Sequence, residues 1–158
     1  MSGIVSPDWP APPGIVAGTT TRGGEPPPGA VYLNQVHGAT VVSIADVRAA
    51  SGLLDADAVV GRSPGDLCAV RTADCLPLLL CSRDGGRVAA AHAGWRGALA
   101  GVLEQTLTAM ERLGAEARAR GDGSRFEQLR QYLTSAGPQE PYRQAAEALE
   151  ISEGAVAS

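Results

Sequence analysis

Two histidines are the whole imidazole supply of this sequence, and both sit in glycine-flanked, turn-like settings: Gln35-Val36-His37-Gly38 and Ala91-His92-Ala93-Gly94. Of the three cysteines, Cys68 and Cys81 lie inside apolar runs, where a thiol serves as a small hydrophobe. Cys75 instead follows Asp74 in a polar turn at the end of a strand-like run, a better setting for reactivity or ligation. Two imidazoles and one thiolate suit Zn²⁺, which takes N and S ligands tetrahedrally; three protein ligands leave a fourth position for water or substrate. An open position belongs to a catalytic zinc rather than a structural one. The spacing of His37, Cys75 and His92 is not a zinc-finger pattern, and the H-x-E…P-C-x-x-C signature of the zinc deaminases is missing. On residue types alone, a metal centre and three unrelated structural residues both stay open.

The elements that would position these residues can be read from the pattern. Residues 14–20, 39–44, 58–61, 67–71, 76–82 and 87–92 read as short strands, the 39–44 run being rich in β-branched residues. Asp84-Gly85-Gly86 is a hairpin signal that turns the 76–82 strand back into the 87–92 strand. Next comes the glycine-flanked turn Gly94-Trp95-Arg96-Gly97, in which Trp95 and Arg96 are expected to pack and brace. A helix over 97–113 is predicted, because Leu99, Val102, Leu103, Thr106, Met110 and Leu113 share a face and Gly114 can cap its end. Strand, turn and helix then deliver His92 to a sheet end. The predicted fold class is α+β: a mixed, mostly antiparallel sheet with a helix packed on one face, plus a short helical C-terminal tail. A doubly wound sheet would need more alternation of strand and helix.

Bulk properties narrow the classes. At 158 residues with 44% hydrophobic and 19% charged residues, the composition is that of a globular domain with a core. A net charge of −4 offers no footprint for nucleic acid or an anionic membrane. No run approaches the ~18 apolar residues of a membrane span, and the proline-broken residues 1–14 do not read as a signal peptide. Three cysteines cannot all pair within one chain, so the expectation is a soluble, cytoplasmic protein without a disulfide framework.

Several segments in series then resemble a known family. Tyr32-Leu33-Asn34-Gln35-Val36-His37-Gly38, Arg71-Thr72-Ala73-Asp74-Cys75-Leu76-Pro77 and Ala90-Ala91-His92-Ala93-Gly94-Trp95-Arg96-Gly97 resemble the signature segments of the laccase-domain family. Thr20-Thr21-Arg22-Gly23-Gly24 and Asp55-Ala56-Asp57-Ala58 resemble further family segments in the same order, so the likeness runs over about residues 14–114. Members were first labelled polyphenol or multicopper oxidases and are described as purine nucleoside phosphorylases. The resemblance implies a zinc (or copper) ion on His37, Cys75 and His92, with Arg22 as a fourth active-site residue. It implies phosphorolysis of adenosine, inosine and methylthioadenosine, with adenosine deamination in some members; part of the family has also been linked to peptidoglycan editing. In that frame Arg22 would hold phosphate through paired guanidinium donors. Asp57 and Asp74 would either orient ligands or cap turns.

Against the family pattern, the stretch between Gly24 and Val31 is short, and the family's continuation after Leu113 is not recognisable. Residues 1–120 are therefore expected to form part of the family's domain, and 121–158 a helical tail. Within that tail, residues 145–156 are similar to the turn of a helix-turn-helix in bacterial sigma-type factors, although the segment from Gln139 is acidic. The rival readings are a metal-binding relative without activity and a DNA-binding regulator fragment. The partners expected are a purine nucleoside and phosphate, not a membrane or nucleic acid.

Overall fold

A computed structural model describes residues 3–113. Its strands are β1 (Ile4–Val5), β2 (Thr19–Thr20), β3 (Val41–Ser43), β4 (Ala58–Gly61), β5 (Leu76–Cys81) and β6 (Val88–Ala93). Its helices are α1 (Ile44–Ala49), between β3 and β4, then α2 (Trp95–Leu99) and α3 (Val102–Arg112) after β6. β1 and β2 form a small antiparallel pair, and the main sheet runs β3-β4-β6-β5. Only the β3–β4 pair is parallel; β4–β6 and β6–β5 are antiparallel, as the mixed α+β reading expects.

β6 is central, and its run of alanines has a packing reason. Alternate residues Ala89, Ala91 and Ala93 face the helical side, where Ala98, Val102, Leu103 and Met110 cover them together with Leu76, Leu78 and Val60. Ala90 faces the other side, among Leu33, Ile44, Ala56 and Val59. A strand covered on both faces gains from small side chains that let helix and loops come close, although alanine itself has little strand preference. Each buried Leu or Val in these layers contributes about 1.5–3 kcal/mol.

Several expected boundaries shift, each for a local reason. The predicted 14–20 strand contracts to Thr19–Thr20, where Ile4–Val5 supplies a partner. The 39–44 strand stops at Ser43, whose hydroxyl accepts from the Asp46 N–H while the Asp46 carboxylate accepts from the Ser43 N–H. That capping box starts α1, which the β-branched run concealed. Residues 67–71 are not a strand, because only a single bridge from Cys68 to Val31 forms there. The single helix predicted over 97–113 is two, broken at Gly101, whose φ of 87° no helix accommodates. Leu99 consequently leaves the apolar face and is half exposed. The Gly114 cap and the proposed helical tail, with its helix-turn-helix likeness, lie outside the described residues.

Candidate metal centre

Three chain segments converge where the β5–β6 hairpin meets α2. In the first, residues 32–38, three consecutive side chains have an anchoring task. Leu33 is fully buried. Asn34 donates from Nδ2 to Asp55 Oδ1 at 2.6 Å. Gln35 donates from Nε2 to the Arg71 carbonyl at 2.7 Å and accepts the Arg71 N–H at 2.8 Å, a side chain acting as a strand partner. His37 follows with a φ of 62°, the one left-handed non-glycine among the described residues. Such a conformation costs on the order of 1–2 kcal/mol for a residue with a Cβ.

Asp57 offsets that cost. Its carboxylate accepts the N–H groups of Val36, His37 and Gly38 at 3.3, 2.9 and 2.7 Å. The side chain is fully buried at the edge of β4, and Oδ1 also lies 2.9 Å from His92 Nδ1. The Asp57 carbonyl in addition accepts the His92 N–H at 2.7 Å. One residue therefore caps the His37 turn and touches the His92 ring.

His92 lies inside β6 rather than in a turn, opposite Pro77 in the register, and is 3% exposed. Cys75 immediately precedes β5, whose first residue Leu76 faces Ala93, so the hairpin brings the thiol beside the end of β6. Gly94 closes the cluster: a Cβ there would lie 3.0 Å from His37 Cδ2 and 3.1 Å from Cys75 Sγ. At Gly97 a Cβ would lie 2.7 Å from the Gly38 carbonyl oxygen. The two glycines flanking Trp95-Arg96 thus let the start of α2 press against both loops. Trp95 does not pack as expected; it is 45% exposed, and the Arg96 guanidinium lies over its ring at 5.2 Å.

The ligand atoms of His37, Cys75 and His92 all lie within 4.8 Å of one another. The imidazole centroids are 4.7 Å apart and nearly perpendicular, at 77°. Tetrahedral zinc bonded to two N and one S spaces its ligands about 3.4–3.6 Å apart, so modest side-chain rotation fits the donors to a cation. Burial is graded, with His92 enclosed, Cys75 intermediate and His37 exposed, which leaves the cluster approachable from the His37 side. Burial pushes the Cys75 thiol up, as do the Asp74 and Asp57 carboxylates; a bound cation is what would hold it as thiolate.

The other cysteines are set apart by register. Cys81 pairs with Val88 at the far end of the hairpin, and burial raises its thiol. Cys68 donates weakly to the Val88 carbonyl, and burial pushes its thiol up to about 12, with Asp66 adding to the effect. Asp74 is exposed and acts on Cys75 only through its charge. Arg22 is exposed in the loop after β2, and no hydrogen bond or ring contact among the described residues joins it to the cluster. Gln35 and Gly94 were missed as site residues, although both lie beside a histidine in its own segment.

Comparison with known proteins places the chain in a family. Residues 19–120 match the family described as multi-copper polyphenol oxidoreductase laccase. The chain is 39% identical to the purine nucleoside phosphorylase YfiH of Escherichia coli over 142 residues, covering 68% of this chain and 58% of that protein. It is 42% identical to the purine nucleoside phosphorylase PA4543 of Pseudomonas aeruginosa, covering 70% and 57% respectively. A crystal structure of Neisseria meningitidis NMB0706 superposes with a TM-score of 0.62 at 38% identity, over 70% of this chain and 58% of that one. The chain thus spans somewhat over half the length of the curated relatives it matches. With three signature segments folded onto one cluster and the match extending over most of the chain, this protein belongs to the multi-copper polyphenol oxidoreductase laccase family.

Proposed function

We propose that His37, Cys75 and His92 hold one Zn²⁺, and that the domain they belong to is a purine nucleoside phosphorylase acting on adenosine, inosine and methylthioadenosine with phosphate. The observation that carries the reading is the gathering of two imidazoles and one thiol within 4.8 Å, with one side approachable. The names of the E. coli and P. aeruginosa relatives support the reaction class. When bound, a divalent cation supplies Lewis-acid polarisation at its open position.

The chain's own contribution is positioning. The Asp57 carboxylate and the Gln35–Arg71 pairing hold the His37 turn against the Cys75 turn. Gly94 keeps the space between the rings and the thiol free of a side chain. Phosphorolysis places phosphate against the anomeric carbon while negative charge builds on the departing purine, so positioned charge is the main requirement. Arg22 is assigned to phosphate on residue chemistry, because a guanidinium offers fixed paired donors to an oxyanion. Residues 1–120 are proposed as the unit that carries this site, and no helix among the described residues is long and apolar enough to cross a membrane.

The test is adenine release from adenosine as a function of phosphate, run beside elemental analysis for zinc and copper. Phosphate-dependent release by zinc-loaded protein is expected, and the same assay reads inosine formation. A protein that is metal-loaded but inert would reduce the reading to metal binding alone.

A further inference from the structure

The Asp57 carboxylate meets three backbone N–H donors and one ring nitrogen. Oδ1 takes the His37 N–H and faces His92 Nδ1, each at 2.9 Å; Oδ2 takes the N–H groups of Val36 and Gly38 at 3.3 and 2.7 Å. Because a carboxylate in this position only accepts, the nitrogen of His92 that faces it must carry the proton. The other nitrogen, Nε2, then presents its lone pair. We infer that Asp57 is the positioning residue of the metal centre: its buried carboxylate fixes His92 as the Nδ1–H tautomer and pins the left-handed His37 backbone, so that one side chain arranges two of the three ligands before the cation arrives. This rests on the metal reading of the cluster.

The geometry separates this role from ordinary turn capping. A cap would need only the three backbone N–H groups of residues 36–38. Here the same oxygen that accepts from His37 is shared with the ring of His92, thirty-five residues further on. His92 is doubly fixed, since its backbone N–H also bonds the Asp57 carbonyl at 2.7 Å. Such carboxylate–histidine pairs set tautomer and ring orientation at metal sites, and their loss commonly weakens metal binding about 10–100-fold.

Asp57→Asn is the informative variant because it keeps size and shape. If the amide oxygen stays at the Oδ1 position, the NH₂ faces the N–H groups of Val36 and Gly38, and donor meets donor. If the amide flips, the NH₂ donates to His92 Nδ1 and the ring proton moves to Nε2, the nitrogen needed for the metal. Both arrangements lose something that the carboxylate supplies, and the second leaves its mark on the ring itself.

The experiment has two readouts. The first is the tautomer of His92 in metal-free protein, from long-range ¹H–¹⁵N correlation of the imidazole in mildly alkaline buffer, with His37→Asn used for assignment. The second is Co²⁺ titration, followed through the thiolate-to-cobalt and ligand-field bands. Wild type is expected to show the Nδ1–H tautomer. Asp57→Asn, with a native far-UV spectrum, is expected to show Nε2–H or a mixture, about 10–100-fold weaker cobalt binding and altered ligand-field bands. An Nε2–H tautomer in wild type overturns the inference, and that measurement stands even if the variant does not fold. Wild-type cobalt affinity and bands in Asp57→Asn overturn it as well, while leaving the metal reading intact. Failure of wild type to take up cobalt overturns the metal reading, and the inference with it.

Discussion

The side-chain amide of Gln35 pairs with the backbone of Arg71 through two hydrogen bonds, at 2.7 and 2.8 Å, and so joins the turn carrying His37 to the loop leading to Cys75. No strand pairing does this work, because residues 67–71 make only one bridge. Gln35→Glu keeps the acceptor but loses the donor and should weaken the junction; Gln35→Ala loses both. Each lost bond is worth about 1 kcal/mol. The expected result is a modest drop in unfolding midpoint with a several-fold loss of zinc affinity, measured by competition with a chelating dye. Unchanged affinity in Gln35→Ala would show that the two loops hold their places without the latch.

Gly94 and Gly97 should respond differently to alanine. The Gly94 Cβ would press on the His37 ring edge and on Cys75 Sγ, both side-chain atoms that can yield. Metal affinity should therefore fall with little loss of stability. The Gly97 Cβ would meet the backbone carbonyl of Gly38 at 2.7 Å, which cannot move alone. Gly97→Ala should lose about 1–3 kcal/mol, the usual cost of overpacking. Thermal unfolding beside zinc titration of both variants separates the two effects.

The three thiols should be distinguishable by reagent. Cys68, pushed up to about 12 by burial, should not react with an aromatic disulfide in native protein. Cys75 should react in metal-free protein and be protected by zinc. Cys68→Ala and Cys81→Ala should change stability and keep the metal; Cys75→Ala should lose it. Equal metal loss in all three would mean that Cys75 is not the ligand.

Asp66 gives a pH signature remote from the cluster. Burial alone would raise its carboxyl, but the N–H groups of Ser63 and Arg62 and the Arg48 guanidinium outweigh it and hold the carboxyl below its ordinary 3.8. A carboxyl lowered in the folded state stabilises fully above its unfolded value and loses that contribution as pH falls through the folded one. The stability gap between wild type and Asp66→Asn should thus be largest near neutrality and close in acid below 3.8. Unfolding midpoints measured across acid pH would reveal a gap that does not close.

Arg22 tests the division of labour between metal and phosphate. Arg22→Ala should keep its zinc and lose phosphorolysis by ~10²–10³-fold, the usual loss of one positioned charged donor. Arg22→Lys should rescue only in part, because an ammonium lacks the paired planar donors. His92→Ala should lose metal and activity together. An Arg22→Ala protein with unchanged phosphate dependence would remove Arg22 from the site.

The sequence determined much of this chemistry through residue type and local pattern. Two scarce histidines and a cysteine in a polar turn already suggested an N/S donor set, and the β5–β6 hairpin was legible because Asp84-Gly85-Gly86 strongly favours a tight reversal. Residues 58–61 were read with their observed bounds, since a short apolar run between turns has few alternatives. Long-range fit was left to the tertiary structure. Whether residues 67–71 formed a strand depended on a backbone partner, and only a single bridge to Val31 forms. The left-handed His37 is tolerable only because a carboxylate twenty residues away collects its N–H groups. Gly94 and Gly97 carry no sign in sequence of what a Cβ would strike, because the atoms in question belong to segments near residues 37 and 75. Local preference set the elements, and packing between distant segments made three of their residues into one cluster.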